Sequence, residues 1–234
     1  MANLNLGLFG KRYLDTNFCL NSFESGETNI SVETTKSLGG IYNILRSNLP
    51  SVTSYCFEDG CVEAFIISEL LESKRSSILV SAPTKTFPVI RHDCIDWLHV
   101  AYADDLNHPE VLEDREVNLS LDFCTLDPRE NYLDLIAKSS LVFDSRERKN
   151  LYSDILVETP IILHDKNGCE CIINGEIVSE KLITAQNNIN VNGAGDVFAG
   201  IFINKFYTSG LDDAIDKTPE ETKNYLIQCQ NTTS

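Results

Sequence analysis

Residues 190–200 read Asn190-Val191-Asn192-Gly193-Ala194-Gly195-Asp196-Val197-Phe198-Ala199-Gly200, and over this stretch a polar loop gives way to an apolar helical pattern. Two glycines bracket an alanine just where the helix is predicted to begin. Glycines allow consecutive backbone N–H groups to point outward, and the positive end of the helix dipole lies at the same place. The stretch therefore predicts a site for an anion, or for negative charge that develops in a transition state.

Asp196 falls in the first turn of this predicted helix. An acid at that position either interacts with the helix dipole as an ordinary first-turn residue or accepts a proton from a substrate hydroxyl. The second role requires a transferring phosphate held beside the hydroxyl. The residues alone leave both interpretations open.

The composition describes an acidic globular chain. It has 234 residues, of which 42% are hydrophobic, and its 35 acidic and 19 basic side chains give a net charge of −16. This length suits a single domain over residues 1–234. The charge argues against partners with a phosphate backbone and against docking on an anionic membrane, so we expect neither a nucleic acid nor a membrane partner.

The cysteines and the N-terminal residues predict a cytoplasmic protein. Met1–Leu20 lacks the pattern of a signal peptide, and no apolar run approaches the roughly 18 residues of a membrane span. The eight cysteines contain no C-x-x-C pair, which favours structural thiols in a reducing compartment. Cys169 and Cys171 alternate along a predicted strand, so we expect them on one face of it.

Short apolar runs alternate with amphipathic stretches, which predicts a doubly wound, mainly parallel α/β sheet with helices on both faces. The predicted strands are Asn3–Phe9, Ser51–Phe57, Ser77–Ser81, Trp97–Ala101, Val117–Asp122, Leu141–Phe143, Pro160–His164 and Cys169–Ile173. The predicted helices are Ile41–Ser47, Val62–Glu72, Glu130–Lys138, one from Ala194 onward, and two closing helices at Leu211–Ile215 and Pro219–Cys229.

Three segments do not follow this alternation of strands and helices, and we expect them to be turns or additional strands. The Asn-Gly of Asp165-Lys166-Asn167-Gly168 predicts a hairpin between its two flanking strands. Asn21–Lys36 alternates in polarity, and Lys85–Ile90 is short and β-prone. Both are predicted to be exposed strands lying off the main sheet.

Taken together, these motifs resemble the ribokinase (PfkB) family of carbohydrate and nucleoside kinases. The family signature D-T-x-G-A-G-D-x-F-x-x-G is matched at Gly193, Ala194, Gly195, Asp196, Phe198 and Gly200. Further similar elements are Asp15 after the first strand, Gly26-Glu27-Thr28, Leu38-Gly39-Gly40-Ile41-Tyr42-Asn43, and Asp144-Ser145-Arg146-Glu147 for the family's N-x-x-E. The resemblance runs in family order from Asn3 to about Gln228.

The resemblance implies a ribokinase-like fold with a small β lid, built from residues 15–36 and part of residues 85–97. It implies transfer of the γ-phosphoryl of ATP to a hydroxymethyl group of a sugar or related small molecule. Asp196 would be the general base, and the amides of Gly193, Ala194 and Gly195 would stabilise the transferring phosphoryl group.

The resemblance also implies roles for the remaining motif residues. The acceptor hydroxyls would be held by Asp15, Gly39, Gly40 and Asn43. Glu147 would act through Mg²⁺ and its water, while Gly168 and Asn224 would lie on the nucleotide side. A homodimer through the lid is implied as well, with Thr28–Thr35 as a candidate edge.

Several positions depart from the family pattern. Asn190 and Val191 replace the usual aspartate and threonine, and Asp144 replaces an asparagine. Asp165 replaces a glycine and would be strained if its φ were positive. The chain is also shorter than typical members, with the loss around Ser81–Asp96 and in the C-terminal nucleotide-side region. Three hypotheses stay open: a sugar kinase, a nucleoside kinase, and a weakened member that binds sugar or nucleotide as a sensor or partner subunit.

Overall fold

The computed structural model describes residues 3–47, 49–80, 94–103, 112, 117–123 and 132–233, and only the backbone at residues 58, 59 and 231–233. The described strands form one ten-stranded sheet. Their bounds are β1 Leu4–Leu20, β2 Glu33–Gly40, β3 Val52–Glu69, β4 Lys74–Leu79, β5 Trp97–Val100, β6 Asn118–Asp122, β7 Leu141–Ser145, β8 Ile161–Asp165, β9 Gly168–Ile173 and β10 Glu176–Leu182.

The centre of the sheet is parallel and its edges are antiparallel. The order is β10-β9-β8-β7-β6-β5-β1-β3-β4, with β2 paired to β1 beside this path. Strands β8, β7, β6, β5, β1 and β3 run parallel, whereas β9, β10, β4 and β2 pair antiparallel with their neighbours. This arrangement confirms the mainly parallel α/β sheet.

Helices cover both faces of the sheet, as predicted for a doubly wound fold. The helices are α1 Ile41–Arg46, α2 Leu133–Lys138, α3 Ala194–Ser209 and α4 Leu211–Thr233, and a 3₁₀ helix spans Arg146–Leu151. Successive residues of a strand point to opposite faces, so Leu141 and Phe143 pack with α1, α3 and α4 while Val142 packs with α2. The alternation explains why these central strands are buried on both sides.

Two strands extend beyond the central sheet and form the lid. β1 has 17 residues and β3 has 18, and they pair in parallel along nearly their whole length. The register shifts between Gly10 and Arg12, which is the position of a β-bulge. Bulges bend strands and increase their twist. The lid therefore consists of the outer halves of β1 and β3 with β2 and β4 on either side.

The predicted helix Val62–Glu72 is wrong, because this segment is the outer half of β3. Its apolar residues fit a helical spacing, but their burial alternates: Val62, Ala64 and Ile66 are buried while the residues between them are exposed. Pairing with β1 on one side and β4 on the other supplies the backbone hydrogen bonds of an extended strand. Tertiary pairing overrides the local pattern.

The lid differs in extent from its prediction. Within Asn21–Lys36 only the segment from Glu33 is a strand, and this strand continues to Gly40. Residues 85–93 lie outside the described residues, and Trp97, at the end of the second predicted segment, begins the central strand β5. The outer half of β3 and β4 form the remainder of the lid.

The closing region is one helix rather than the predicted two. α4 runs from Leu211 to Thr233 with Pro219 inside it. A proline has no N–H, so the carbonyl of Ile215 loses its partner within the helix. The thiol of Cys169 donates to that carbonyl at 3.8 Å, which compensates the loss.

Two further predictions are confirmed. Strands β8 and β9 form the expected hairpin, with Asp165 paired to Gly168 across its turn. Cys169 and Cys171 are both buried on the face that carries α3 and α4. Among the described residues no helix is long and apolar enough to span a membrane.

Candidate active site

Helix α3 begins at a glycine in the left-handed region. Gly193 is its N-cap with φ 77°. The Val197 N–H donates to the Gly193 carbonyl as the first helical hydrogen bond, and the Ala194 N–H donates to the Val191 carbonyl at 3.1 Å. The helix geometry leaves the N–H groups of Gly195 and Asp196 as first-turn donors without an intrahelical acceptor. An anion at this end of α3 would meet these two donors and the helix dipole.

The carboxylate of Asp196 is buried and hydrogen-bonded to a distant part of the chain. Only 7% of Asp196 is exposed, and the Asn43 side-chain Nδ2 donates to its Oδ2 at 2.7 Å. Burial raises the pKa of Asp196 to about 6, although the hydrogen bond from Asn43 opposes the rise. A carboxylate with this pKa is ionised near neutrality and is a better proton acceptor than an exposed aspartate.

Asp15 lies beside this pair on the lid extension of β1. It is 6% exposed, and the Asn192 Nδ2 donates to its Oδ2 at 3.1 Å. Burial raises the pKa of Asp15, against the effects of the Asn192 hydrogen bond and the charges of Arg75 and Arg46. Asp15 also contributes to the raised pKa of Asp196 through charge repulsion. The two carboxylates therefore share one electrostatic environment.

Three glycines allow this close approach. A Cβ on Gly39 would collide with the Asp15 carboxylate, and one on Gly193 would lie 2.5 Å from Asn43 Cγ. Gly40 turns the chain from β2 into α1 with φ 62°, and a Cβ there would lie 2.6 Å from the Lys11 carbonyl oxygen. Side chains at these positions would separate the groups that the fold brings together.

Two arginines and an asparagine complete the cluster, and the sequence analysis identified none of them as site residues. Arg75 on lid strand β4 donates from Nη1 to Asn192 Oδ1 at 3.1 Å. Arg46 at the end of α1 donates from Nη2 to Asn43 Oδ1. Arg75 was missed because the register of β4 emerges only from its pairing with β3, where Arg75 lies opposite Ser68. Arg46 follows Asn43 by one helical turn, which is the single local signal.

His164 also borders the first turn of α3. Its ring stacks on Phe198 with centroids 4.4 Å apart, and its Cε1 lies 3.4 Å from where a Cβ of Gly195 would lie. Burial lowers the pKa of His164 to about 4, so the imidazole is neutral at physiological pH. His164 lies near the carboxyl end of β8, and this position brings its ring against the first turn of α3.

Asn190, which replaces the aspartate of the family pattern, stabilises the loop that leads into α3 through hydrogen bonds of its side chain. Its Oδ1 accepts the Asn192 N–H at 2.9 Å and lies 3.3 Å from the donating Ser68 hydroxyl on lid strand β3. The asparagine thus provides the local hydrogen bond that an aspartate would provide in an Asx turn. It also links the lid to the loop.

Gly168, which the family resemblance places on the nucleotide side, allows the close packing of the β8–β9 hairpin against β10. Gly168 has φ 134°, and a Cβ there would collide with the Lys181 carbonyl of β10. Asp165 does not have the positive φ that would strain it: among described non-glycine residues that conformation occurs at Ser51, Ser73, Asn174 and Asn188. Its Oδ1 instead accepts the Asn167 N–H at 2.7 Å and stabilises the turn.

Asp144, which replaces the asparagine of the family pattern, is buried and makes hydrogen bonds and an ion pair. Asp144 is 1% exposed, accepts hydrogen bonds from Tyr152 Oη at 2.6 Å and the Ser145 N–H at 2.7 Å, and lies 3.3 Å from Arg148 Nε. Its carboxylate raises the pKa of Tyr152, as does burial. Asp144 therefore stabilises the end of β7 rather than presenting a carboxylate to a ligand.

The structure separates the predicted site residues into two groups. Hydrogen bonds and close approaches join the first group, which consists of Asp15, Gly39, Asn43, Gly193 and Asp196 with the adjacent Gly40, Ala194 and Gly195. The hydrogen bonds and ion pairs of the described residues do not join Glu147, Gly168 or Asn224 to this cluster. Glu147 is exposed in the first turn of the 3₁₀ helix, and Asn224 is exposed on α4.

Glu147, the residue that the family resemblance connects with Mg²⁺, has an exposed side chain. Among the described residues no group of three His, Cys, Asp or Glu side chains could enclose a metal. Mg²⁺ at a phosphate site typically takes one or two carboxylates and completes its shell with phosphate oxygens and water. The exposed carboxylate of Glu147 is compatible with that arrangement.

No family model matches the sequence, and a search of curated proteins finds no match. Solved structures do match it. A ribokinase from Cryptococcus neoformans in complex with ADP is 15% identical with a TM-score of 0.64, covering 98% of this chain and 93% of that one. An Arabidopsis thaliana ribokinase complexed with ribose and ATP is 14% identical with a TM-score of 0.62, covering 95% and 92%.

A nucleoside kinase from Burkholderia thailandensis in complex with inosine has a TM-score of 0.67 at 12% identity, covering 94% of this chain and 89% of that one. The chain has the ribokinase-like fold. Hydrogen bonds join the described lid strands to Asn190 and Asn192 in the loop that leads into α3. The predicted ribokinase-like fold is thereby confirmed.

Proposed function

We propose that the protein is an ATP-dependent phosphotransferase that adds the γ-phosphoryl group to a hydroxymethyl group of a sugar or related small molecule. The observation that carries this proposal is the buried Asp196–Asn43 pair at the first turn of α3. Burying a carboxylate is costly, and a purely structural first-turn acid would satisfy the helix dipole from an exposed position. A proton acceptor beside an anion site has a reason to be buried.

In the proposed reaction, Asp196 accepts the proton of the acceptor hydroxyl. The hydroxyl oxygen forms a bond to the γ-phosphorus, the bond from that phosphorus to the β–γ bridging oxygen breaks, and ADP leaves with the bond electrons. The first-turn N–H groups of α3 stabilise the charge on the transferring group. Of the predicted donors, Gly195 is better disposed than Ala194, whose N–H is engaged by the Val191 carbonyl.

The acceptor is held between the lid and the central sheet in this proposal. Asp15 accepts hydrogen bonds from acceptor hydroxyls, and the missing side chain of Gly39 leaves room for the Asp15 carboxylate. Asn43 fixes the Asp196 carboxylate from the other side. Because Asp15 and Asp196 come from opposite ends of the chain, the folded structure is required to form the site.

Mg²⁺ would neutralise phosphate charge and orient the phosphates for in-line transfer. Glu147 would hold the ion through a water molecule, and Asn224 and Gly168 would contribute to the nucleotide side. The use of ATP is supported by the ADP and ATP complexes of the similar ribokinases.

The inosine complex of the similar nucleoside kinase supports a nucleoside as a second candidate acceptor class. A catalytically weakened binding protein, acting as a sensor or partner subunit, is the alternative from another class. The observation that favours it is the structural use of Asp144, Asp165 and Gly168 on the nucleotide side.

A direct assay separates these candidates. The protein is incubated with ATP, Mg²⁺ and a panel of pentoses, hexoses, phosphosugars and nucleosides, and acceptor-dependent ADP release is measured for the wild type and Asp196→Asn. We expect release with at least one acceptor and its loss in the variant. Absence of release from every panel member at concentrations well above a millimolar-range KM would contradict the kinase proposal and favour the binding protein.

We also propose a homodimer through the lid. Its outer face carries a cluster of exposed apolar side chains, which are Leu14, Leu38, Phe65 and Ile78. Sedimentation velocity of the wild type and Phe65→Lys tests this, with a dimer expected for the wild type and a monomer for the variant. A monomeric wild type would refute it.

A further inference from the structure

We propose that Arg46 and Arg75 are positioning residues that each act through one asparagine on one carboxylate of the site. Arg46 orients Asn43 toward the base Asp196, and Arg75 orients Asn192 toward the acceptor-binding Asp15. This inference rests on the proposed function, because it assigns separate roles to the two carboxylates. Neither arginine belongs to the motifs that predicted the site.

The first chain of contacts is Arg46–Asn43–Asp196. The Arg46 guanidinium donates to the Asn43 carbonyl oxygen, and the amide nitrogen of the same side chain donates to Asp196 Oδ2 at 2.7 Å. Asn43 is 6% exposed, so solvent does not replace either partner easily. The arginine and the base are 150 residues apart in sequence and connected by a single amide group.

The second chain of contacts is Arg75–Asn192–Asp15. The Arg75 guanidinium donates to Asn192 Oδ1 at 3.1 Å, and Asn192 Nδ2 donates to Asp15 Oδ2 at 3.1 Å. Asn192 directly precedes the N-cap Gly193 of α3. Arg75 lies on lid strand β4, so this chain of contacts connects the lid with the loop that begins the anion site.

A side-chain amide has a donor end and an acceptor end, and rotating it by half a turn exchanges them. A guanidinium only donates, so it fixes the amide oxygen on its own side and the amide nitrogen on the carboxylate side. Without the arginine, the amide oxygen would be able to face the carboxylate, where two acceptors repel. Each arginine therefore determines whether its asparagine holds the neighbouring carboxylate.

The arrangement also separates charge. Neither guanidinium pairs directly with its carboxylate through a described ion pair, so both carboxylates keep an oxygen for another partner. The charged groups that influence Asp196 are Arg75, Asp15 and Arg46, and those that influence Asp15 are Arg75 and Arg46. The neighbouring His164 is neutral at the pH of the experiment below.

The test compares Arg46→Gln and Arg75→Gln with the wild type, and Lys217→Gln serves as a matched control because it removes one exposed positive charge on α4. At pH 8 we expect Arg46→Gln to lower kcat about tenfold with the acceptor KM nearly unchanged, as for loss of a hydrogen bond with a charged partner. Arg75→Gln is expected to raise the acceptor KM about tenfold with kcat nearly unchanged. Arg→Lys variants should recover part of each loss.

A measurement without substrate distinguishes this proposal from the proposed function. In ¹⁵N spectra of the full chain, the side-chain NH₂ signal of Asn43 is expected to shift in Arg46→Gln while that of Asn192 stays in place. Arg75→Gln is expected to give the reverse. If no acceptor gave turnover, the kinase proposal would be refuted, but the amide shifts would still test the positioning of the two asparagines. Amide signals that do not shift would overturn the positioning roles. So would kinetics in which Arg46→Gln and Arg75→Gln change kcat and the acceptor KM to the same extent.

Discussion

The acceptor side and the nucleotide side of the candidate site use their motif residues differently. On the acceptor side, Asp15, Asn43 and Asp196 are buried and come from three separate elements. They are held by hydrogen bonds with side-chain amides and a guanidinium group. On the nucleotide side, Gly168 and Asp165 shape a hairpin turn. Under the proposed function, the buried Asp15, Asn43 and Asp196 would serve the ligand, whereas Gly168 and Asp165 stabilise the hairpin.

The proposed function would explain this difference, because a sugar or nucleoside acceptor and a phosphate group place different demands on the residues that bind them. Acceptor hydroxyls need directional hydrogen bonds from fixed side chains, which restricts both residue type and position. Phosphates are bound largely by backbone N–H groups and a helix dipole, which nearly any sequence supplies if a glycine allows the approach. If the protein is a kinase, we expect substitutions on the nucleotide side to be tolerated as long as the first turn of α3 keeps its geometry.

The strongest test of the acceptor side is Asp196→Asn. Removing the base is expected to lower kcat by about 10²–10⁴-fold, because the asparagine keeps the shape but does not accept the hydroxyl proton. Steady-state kinetics with the best acceptor measures the change. Asp212→Asn is a suitable control, since Asp212 is an exposed first-turn acid of α4. Turnover that survives Asp196→Asn unchanged would remove the base from the mechanism.

The same variant is expected to stabilise the protein. The pKa of Asp196 rises from 3.8 to about 6 on folding, so between these values the folded state binds more protons than the unfolded state. The free energy of unfolding therefore falls as pH rises through this window. At neutral pH the penalty is up to about 3 kcal/mol for a shift of roughly two pKa units, and Asp196→Asn should recover part of it. Denaturant unfolding at pH 7.5 measures this, and a destabilised variant would contradict the burial argument.

On the acceptor side, the sequence pointed to the residues of the buried cluster but not to the residues that hold them in place. The motif around Gly193–Asp196 and the pair Gly39-Gly40 are local patterns, and their resemblance to the family signatures pointed to residues that the fold brings together. Asn192 and Arg75 contribute through contacts between segments more than a hundred residues apart. No local pattern marks such a contact, because the register of β4 on β3 decides it.

The fold was predicted in its centre and less well in its lid. Central strands such as β5 and β7 are continuous apolar runs, so their assignment needed no knowledge of their neighbours. The lid half of β3 carries an apolar pattern that fits both a helix and a strand, and only pairing with β1 and β4 decides between them. Pro219 misled the helix prediction because its lost hydrogen bond is compensated by a cysteine from β9.

The close approach on the acceptor side can be broken with Gly193→Ala. The new Cβ would lie 2.5 Å from Asn43 Cγ, so either Asn43 or the helix start has to move. Displacing the base by about 1 Å is expected to lower kcat about 10²-fold. Gly210→Ala is the matched control, because Gly210 also has a positive φ at a helix end but nothing within 4 Å of its Cβ position. Equal kinetic losses in both variants would show that backbone strain, not the collision, is responsible.

A pH profile gives a smaller and more specific effect on the same side. Because the base functions only when ionised, and its pKa is raised to about 6, kcat/KM is expected to fall about tenfold per pH unit below that value. The decline should be shallow between pH 6.5 and 8. Initial rates at saturating ATP between pH 4.5 and 8 measure it, with Asp212→Asn giving the wild-type profile. A rate that stays constant down to pH 4.5 would contradict the raised pKa.

The nucleotide side is expected to respond weakly. Glu147→Gln should raise the Mg²⁺ concentration for half-maximal activity about fivefold, the effect of losing one charge-assisted contact made through water. kcat at saturating Mg²⁺ should be nearly unchanged. Glu158→Gln, another exposed acid outside the site, is the control. An unchanged Mg²⁺ requirement would remove Glu147 from the metal site.

The smallest effect is expected from Asp165→Gly, which restores the family glycine on the nucleotide side. Asp165 has no positive φ to relieve, and the variant loses its 2.7 Å hydrogen bond to the Asn167 N–H. We therefore expect the free energy of unfolding to fall by about 1 kcal/mol, from the lost bond and the added chain freedom of glycine. The KM for ATP should stay within about twofold, because Asp165 serves the turn and not the nucleotide. A large gain in ATP affinity would instead show that the Asp165 carboxylate repels the phosphates. The nucleotide side would then differ from the acceptor side because Asp165 weakens nucleotide binding, and not merely because Asp165 stabilises a turn.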